Sequence, residues 1–218
     1  MQPFTTLTAV AAPLDAADID TNQLSPTQFS KLPRGPRYAQ VLFHEHRFHA
    51  NGAEKDHILN RPPYRSAGIL VADRNFGCGS SREHAVWALY EFGIRSVIAP
   101  SFGDIFITNC YKNGLLPVAL GDAEAAALRR ALHDVPGSSI AIDLQAQTVA
   151  DGAGHLYRFE IPAVRRKCLL EGLDDIARTE QYLAQFEAYE AAYCERYRWT
   201  HAGGSAVQPE SLNKGITG

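Results

Sequence analysis

The chain has 218 residues, enough for one large domain with an appendage. Hydrophobic residues make up 45% and charged residues 21%, which excludes wholesale disorder and fibrous repeats. A net charge of −3 without a long basic block argues against nucleic acid as the main partner, and no apolar run approaches the roughly 20 residues that cross a bilayer. The first basic residue is Lys31, so the amino-terminal region lacks the charged segment of a signal peptide and the arginines of a transit peptide. Cys78, Cys110, Cys168 and Cys194 form no C-x-x-C pair. Together these features predict reduced thiols, no metal framework in this chain and a cytoplasmic location.

In chain order, Thr5 to Pro13 reads as a strand and Asp18 to Asn22 as a polar turn. Pro26, Pro33, Gly35, Pro36, Gly52, Pro62 and Pro63 punctuate a loop-rich stretch in which Tyr38 to Phe43 suggests one short strand. Ala67 to Ala72 is a continuous apolar run, the pattern of a strand covered on both faces. After a turn-rich Asp73 to Gly79, Ser80-Ser-Arg-Glu83 has capping-box spacing and predicts a helix with Ser80 as N-cap. Ala85, Ala88, Leu89 and Phe92 supply its buried stripe, and Gly93 its end.

Ile94 to Ala99 reads as a strand, Asp104 to Asn113 as a helix closed by Gly114, and Leu115 to Leu120 as another strand. Strands and helices so alternating predict a βαβαβ unit with right-handed crossovers and a parallel sheet. Asp122 to His133 is Ala-rich and helical, capped by Asp122. Ser139 to Leu144 and Leu156 to Ile161 suggest an antiparallel pair joined around Asp151-Gly152. Asp174 to Arg198 is a long helical stretch with apolar Ile176, Leu183, Phe186, Tyr189 and Tyr193. The expected organisation is an α/β domain over 1–173, a helical extension over 174–199 and a loosely held tail over 200–218.

Asn75-Phe-Gly-Cys-Gly-Ser-Ser-Arg-Glu-His84 is the stretch that suits chemistry. Gly77 and Gly79 permit a sharp strand-to-helix turn. Ser80 and Ser81 then sit at a helix N-terminus, where an anion is favoured, and Arg82 adds a planar fork for a carboxylate. Open α/β sheets bind ligands at this place, beyond the carboxyl ends of their strands. Helix capping alone also accounts for Ser80 and Glu83. A dinucleotide loop lacks its third glycine, the P-loop lysine is absent, and neither serine lies in G-x-S-x-G. Cys78 reads as a buried, inert thiol without a base partner. Phe43-His-Glu-His-Arg-Phe-His49 departs from H-E-x-x-H at Phe48; His44 and His46 on one strand face read as surface residues rather than metal ligands.

The 75–84 stretch resembles the signature of the swivelling domain of the aconitase superfamily, in particular its separate small subunits. Matching stretches include Pro13-Leu-Asp, Asp18-Ile-Asp-Thr21, Ile98 to Phe106, Asn109 to Pro117 and Cys168 to Ile176. The resemblance implies a swivelling β/β/α fold and a large-subunit partner that carries a [4Fe-4S] cluster, with no cofactor in this chain. It implies a hydro-lyase that removes water from 2-isopropylmalate, a small hydroxy-diacid, and re-adds it to give 3-isopropylmalate. By motif position Ser80 is the catalytic base, Ser81 and Arg82 bind the substrate carboxylate, backbone N–H groups near Gly79 assist, and Thr21 belongs to the substrate-binding set.

Some stretches depart from the family pattern. Its Asp-Thr-Asp is here Asp20-Thr21-Asn22, and its His-Ala-Pro-Trp is His84-Ala-Val-Trp87. The loop implied to read the substrate's side group is Phe29-Ser-Lys-Leu-Pro-Arg-Gly35, where Arg34 supplies a second arginine and Leu32 an apolar contact. A paralogous hydratase for dimethylmalate, citraconate or homoaconitate, and a non-catalytic anion-binding domain, are the competing readings.

Overall fold

Strand β1 (Thr6–Pro13) joins two halves of a seven-stranded sheet ordered β4-β3-β2-β1-β5-β6-β7. In this computed structural model, residues 1–197 and 199 are described. The carboxyl-terminal residues of β1, Ala11 to Pro13, pair in parallel with β2 (Ile69–Val71). Its earlier residues, Thr6 to Val10, pair antiparallel with β5 (Ser139–Asp143). Strands β3 (Ser96–Ala99) and β4 (Leu116–Ala119) extend the parallel half. Every residue of β2 and β3 is buried, as an apolar run without alternation requires.

Several short helices surround this sheet. α1 (Thr21–Leu24) and α2 (His44–Arg47) lie in the long β1–β2 connection. α3 (Glu83–Phe92) links β2 to β3, and α4 (Asp104–Asn113) links β3 to β4. Both pack on one face, with Ala85, Ala88, Leu89, Phe106 and Cys110 in a cluster that includes Leu70 and Val97. One hand for successive crossovers places both helices on the same side. α5 (Asp122–Asp134) and α6 (Ala163–Glu171) cover the other face, where Leu128, Leu132 and Leu169 meet Ile69, Ile98 and Val118.

The β1–β2 connection is a packed layer, with Leu24, Tyr38, Val41, Leu42, Phe43, Leu59 and Tyr64 joining the α3 side of the core. The strand expected at Tyr38 to Phe43 is instead a 3₁₀ turn (Pro36–Gln40) leading into further turns. Pro36 presets the helical φ, and the buried Tyr38, Val41 and Leu42 follow an i, i+3, i+4 spacing. His44 and His46 therefore lie on α2 and not on a strand face. Arg47 anchors this layer: its Nε donates to Asn60 Oδ1 at 2.9 Å and its Nη1 to the Ala39 and Leu42 carbonyls.

Other boundaries also differ from expectation. Glu83 begins α3, and Ser80 does not cap it. Gly121 precedes α5, its N–H donating to Glu124 Oε2 at 3.0 Å, so Asp122 is the first helical residue rather than the cap. A strand absent from the sequence reading, β6 (Thr148–Ala150), lies between β5 and β7 (Leu156–Arg158) and pairs antiparallel with both. It has only three residues, too short for alternation to register.

The chain divides into two compact units, Met1–Asp175 and the segment from Ile176 onward. The expected long helix is divided into α7 (Asp175–Glu180) and α8 (Leu183–Arg196), with the Tyr182 N–H turning back to the Thr179 carbonyl at 3.0 Å. No proline or glycine marks that break. On α8, the Tyr189 and Tyr193 rings stack at 5.8 Å. The tail expected over 200–218 lies outside the described residues.

Candidate active site

Three connections converge beyond the carboxyl ends of β1, β2 and β3. The turn after β2 is bridged to the first connection through Asp20 and Cys78, and to the third through Phe76 and Phe102. The Gly77 N–H donates to the Ile19 carbonyl at 2.7 Å, the Phe76 N–H to the Ser101 carbonyl at 3.0 Å, and the Gly103 N–H to the Phe76 carbonyl at 3.0 Å. Asn75 is held left-handed, its N–H on Ser101 Oγ and its Nδ2 on Asp18 Oδ1, both at 2.8 Å. Gly77 and Gly79 are left-handed at φ 73° and 91°, and a Cβ on Gly77 would run into the Phe106 ring. Only glycine meets both demands at position 77.

That turn delivers Gly79, Ser80 and Ser81 to the surface. The Arg82 N–H closes a tight turn onto the Ser80 carbonyl at 2.9 Å, which places both serines ahead of the first helical residue. This turn is why the capping box does not form. Ser80 Oγ instead lies 2.9 Å from Thr21 Oγ1, and Glu83 accepts from Asn113 Nδ2 at 2.8 Å. Asp20 caps α1 through its Oδ1 on the Gln23 N–H at 2.8 Å, presenting Thr21 as the first helical residue against the Ser80 turn.

Arg82 is half-buried and bound by neutral acceptors. Its Nη1 donates to Asn22 Oδ1 and to Thr27 Oγ1, the latter at 2.8 Å. An arginine held by amide and hydroxyl oxygens retains its charge for an anion. Asn22 thus has a definite task where the family pattern carries a carboxylate. Thr27 escaped the sequence reading because no motif marks it, five residues after Asn22 beyond the Leu24–Pro26 corner.

The fold therefore groups Thr21, Gly79, Ser80, Ser81 and Arg82. Arg34 and Leu32 are placed otherwise. Arg34 Nε pairs with Glu91 Oε1 at 3.2 Å, its Nη1 donates to Asn113 Oδ1 at 3.0 Å, and its guanidinium lies 5.8 Å and 5.3 Å from the Trp87 and Tyr90 ring centroids. Leu32 is partly buried against the α3-side core. Asn113 also accepts from Trp87 Nε1 at 3.2 Å and so ties Arg34, Trp87 and Glu83 together. An Asn-Gly pair at a helix end is read first as a stop signal, and that reading hides this role.

The electrostatics around the turn are asymmetric. Burial pushes the Cys78 thiol up, and Asp20 and Asp18 push it further, so it is protonated near neutral pH. Cys78 is half-buried rather than fully buried, and the two carboxylates add to burial in holding its proton. On the opposite face, Arg129 from α5 donates to the Ala72 carbonyl at 2.7 Å and pairs with Asp73 at 3.0 Å and Asp15 at 3.3 Å. These bonds fix the ends of β1 and β2 from which the site loops depart.

No cluster of three or more His, Cys, Asp or Glu among the described residues has the arrangement to hold a metal ion. Cys110 is buried in the α3-side cluster and Cys168 is buried on α6. No helix among the described residues is long and apolar enough to cross a membrane. Ser80 lines neither the 200 Å³ cavity beside Leu128 and Ile140 nor the 150 Å³ cavity beside Phe4 and Tyr90. Its hydroxyl stands on an open surface.

A half-parallel, half-antiparallel sheet with its glycine turn beyond the parallel ends is the architecture of an aconitase-type swivelling domain. The family described as the aconitase C-terminal domain matches residues 1–123. Similar proteins narrow this class. A Brevibacillus brevis protein named 3-isopropylmalate dehydratase small subunit is 49% identical over 192 residues, 88% of this chain and 99% of its own length. Its namesake from Roseobacter denitrificans is 42% identical over 200 residues, 91% of this chain and 100% of its own. The crystal structure of 3-isopropylmalate dehydratase from Methanocaldococcus jannaschii superposes with a TM-score of 0.61 at 25% identity, covering 84% of this chain and 99% of that one. The chain belongs to the 3-isopropylmalate dehydratase small-subunit family.

Proposed function

We propose that this chain is the small subunit of a hydro-lyase that interconverts 2-isopropylmalate and 3-isopropylmalate in leucine biosynthesis. The observation that carries the reading is the exposed Ser80 hydroxyl beside Arg82, on a turn fixed by the connections after β1 and β3. Residues 1–173 make the swivelling domain and 174–199 a helical extension. A large subunit holding a [4Fe-4S] cluster faces the Ser80 surface and supplies the rest of the site, and the complex works in the cytoplasm. The cluster's chemistry belongs wholly to that partner.

Ser80, deprotonated, takes the carbon-bound proton next to a substrate carboxylate. The C–H electron pair becomes the carbon–carbon double bond as the neighbouring hydroxyl leaves with its bonding pair. That hydroxide and the proton taken by Ser80 together make up the water lost, and its re-addition in the other orientation gives the isomer. A serine hydroxyl serves as base only when positive charge lowers its affinity for the proton. Arg82 supplies a fixed charge, and the N-terminus of the ten-residue α3 adds to it. Ser81 and the remaining guanidinium N–H groups of Arg82 grip one carboxylate, assisted by the backbone at Gly79. Arg34, released from Glu91 and Asn113, meets the second carboxylate, and Leu32 contributes to the apolar wall for the side group.

The names of the relatives favour isopropylmalate over the competing diacids. The test is to reconstitute the chain with its large subunit and to assay 2-isopropylmalate, dimethylmalate, citraconate and homoaconitate side by side. The highest kcat/KM is expected with 2-isopropylmalate. Preference for a smaller side group would assign the chain to a paralogous hydratase.

A further inference from the structure

We infer that the Thr21 hydroxyl is a positioning group that steadies Ser80 in its deprotonated form. The inference deepens the proposed function and rests on Ser80 being the base. Thr21 is 1% exposed, and its N–H is fixed to the Cys78 carbonyl at 3.0 Å. Its Oγ1 faces two oxygens of one residue: the Ser80 carbonyl at 3.0 Å and Ser80 Oγ at 2.9 Å.

A hydroxyl has one proton to donate. When Thr21 donates to the Ser80 carbonyl, the contact between the hydroxyls is a bond from Ser80 O–H to Thr21. Once Ser80 has lost its proton, two acceptors would face each other at 2.9 Å. Rotation about the Thr21 Cβ–Oγ bond removes that conflict and converts the contact into a charge-assisted hydrogen bond to the serine oxyanion, stronger than the neutral bond it replaces. The Ser80 carbonyl is not abandoned, because the Arg82 N–H still donates to it at 2.9 Å. No proton passes between the two residues and no bond other than hydrogen bonds changes. The stiff β-branched side chain keeps the hydroxyl aimed, and burial prevents water from taking its place. Thr21 thus acts through Ser80, from beneath it.

The test is the pH–rate profile of the reconstituted complex carrying Thr21→Val or Thr21→Ser, with Ser80→Ala as reference. Thr21→Val keeps the shape and loses the donor; its kcat should fall about tenfold with KM within about twofold. Its ascending kcat/KM limb should move to higher pH by about one unit, because the deprotonated base has lost a stabilising bond. Thr21→Ser should restore the limb. If Thr21→Val fails to assemble, Thr21→Ala lacks the same donor and carries the same expectation. A limb unmoved in the variant without the hydroxyl, or displaced equally in Thr21→Ser, overturns the inference. Should Ser80→Ala itself retain turnover, the proposed base fails, whatever Thr21 does. With Ser80→Ala dead and the Thr21→Val limb unmoved, only the present inference falls.

Discussion

The turn at Gly77–Arg82 and the loop at Phe29–Arg37 sit on the same domain and carry the two arginines of interest, yet they are prepared differently. The first is braced by connections on both sides, and its serines are exposed. Arg82 is aimed by Asn22 and Thr27, neither of which neutralises it. In the second, Arg34 is occupied by Glu91, Asn113 and two aromatic rings, while Leu32 leans on the core. One region is built before the substrate arrives; the other has to rearrange to take part. Preorganisation favours chemistry at the first, and rearrangement at the second suits discrimination between side groups.

The largest expected effect is at the preorganised turn. Ser80→Ala in the reconstituted complex should lower kcat by about 10² or more with assembly intact, since the hydroxyl makes no helix cap and its loss costs only about 1 kcal/mol. Near-normal kcat would place the base elsewhere. Arg82→Lys should raise KM about tenfold although charge is kept, because lysine cannot offer two parallel donors while also reaching Asn22 and Thr27. Unchanged KM would reduce Arg82 to a brace for the first connection.

The layer that carries the second loop should respond to acid. Burial and the nearby Arg47, His46 and Arg61 hold His57 down at about 4, with Asp56 opposing. A depressed histidine binds its proton in the unfolded chain first, so its contribution to stability is present above about pH 6.5 and is lost as pH falls toward 4. The loss should amount to about 1–3 kcal/mol, reduced because the ring is only partly buried. Chemical denaturation between pH 7 and 4 would read it, and His57→Gln should flatten the slope; an unchanged slope would assign the acid sensitivity to other groups.

The smallest effects belong to the loop itself. Arg34→Ala should lower kcat/KM for every diacid alike by about fivefold or less, since freeing this side chain from Glu91 and the buried Asn113 offsets part of what a carboxylate contact contributes. Leu32→Ala should cost about 1–2 kcal/mol of stability and alter the ranking among side groups. A fixed ranking and a wild-type Arg34→Ala variant would remove this loop from substrate reading.

The sequence was most legible where burial is two-sided and the chain returns quickly. Ala67–Ala72, Ile94–Ala99 and the helix closed by Gly114 announce themselves by apolar runs and helix stops; the strands Ile69–Val71 and Ser96–Ala99 lie inside those runs, and the helix has the expected bounds. The 14–66 connection was opaque because its buried residues serve 3₁₀ turns, whose short runs leave no period to detect. At the site, Ser80, Ser81 and Arg82 were visible as a glycine-flanked polar run. Whether Ser80 would cap the helix was not, because that depends on one residue of extra turn and on a threonine 59 positions earlier. The arginine partners Asn22, Thr27 and Asn113 come together only in three dimensions, so no local pattern marks them.

On the proposed function, this chain carries half of an active site, with Ser80 standing open for a second protein. That proposal is tested most directly by assaying 2-isopropylmalate turnover in the isolated chain, in the isolated large subunit and in their mixture, with iron and sulfide measured in each. Turnover is expected only in the mixture, and iron and sulfide only where the large subunit is present. Turnover by this chain alone, or stoichiometric iron and sulfide in it, would contradict the account.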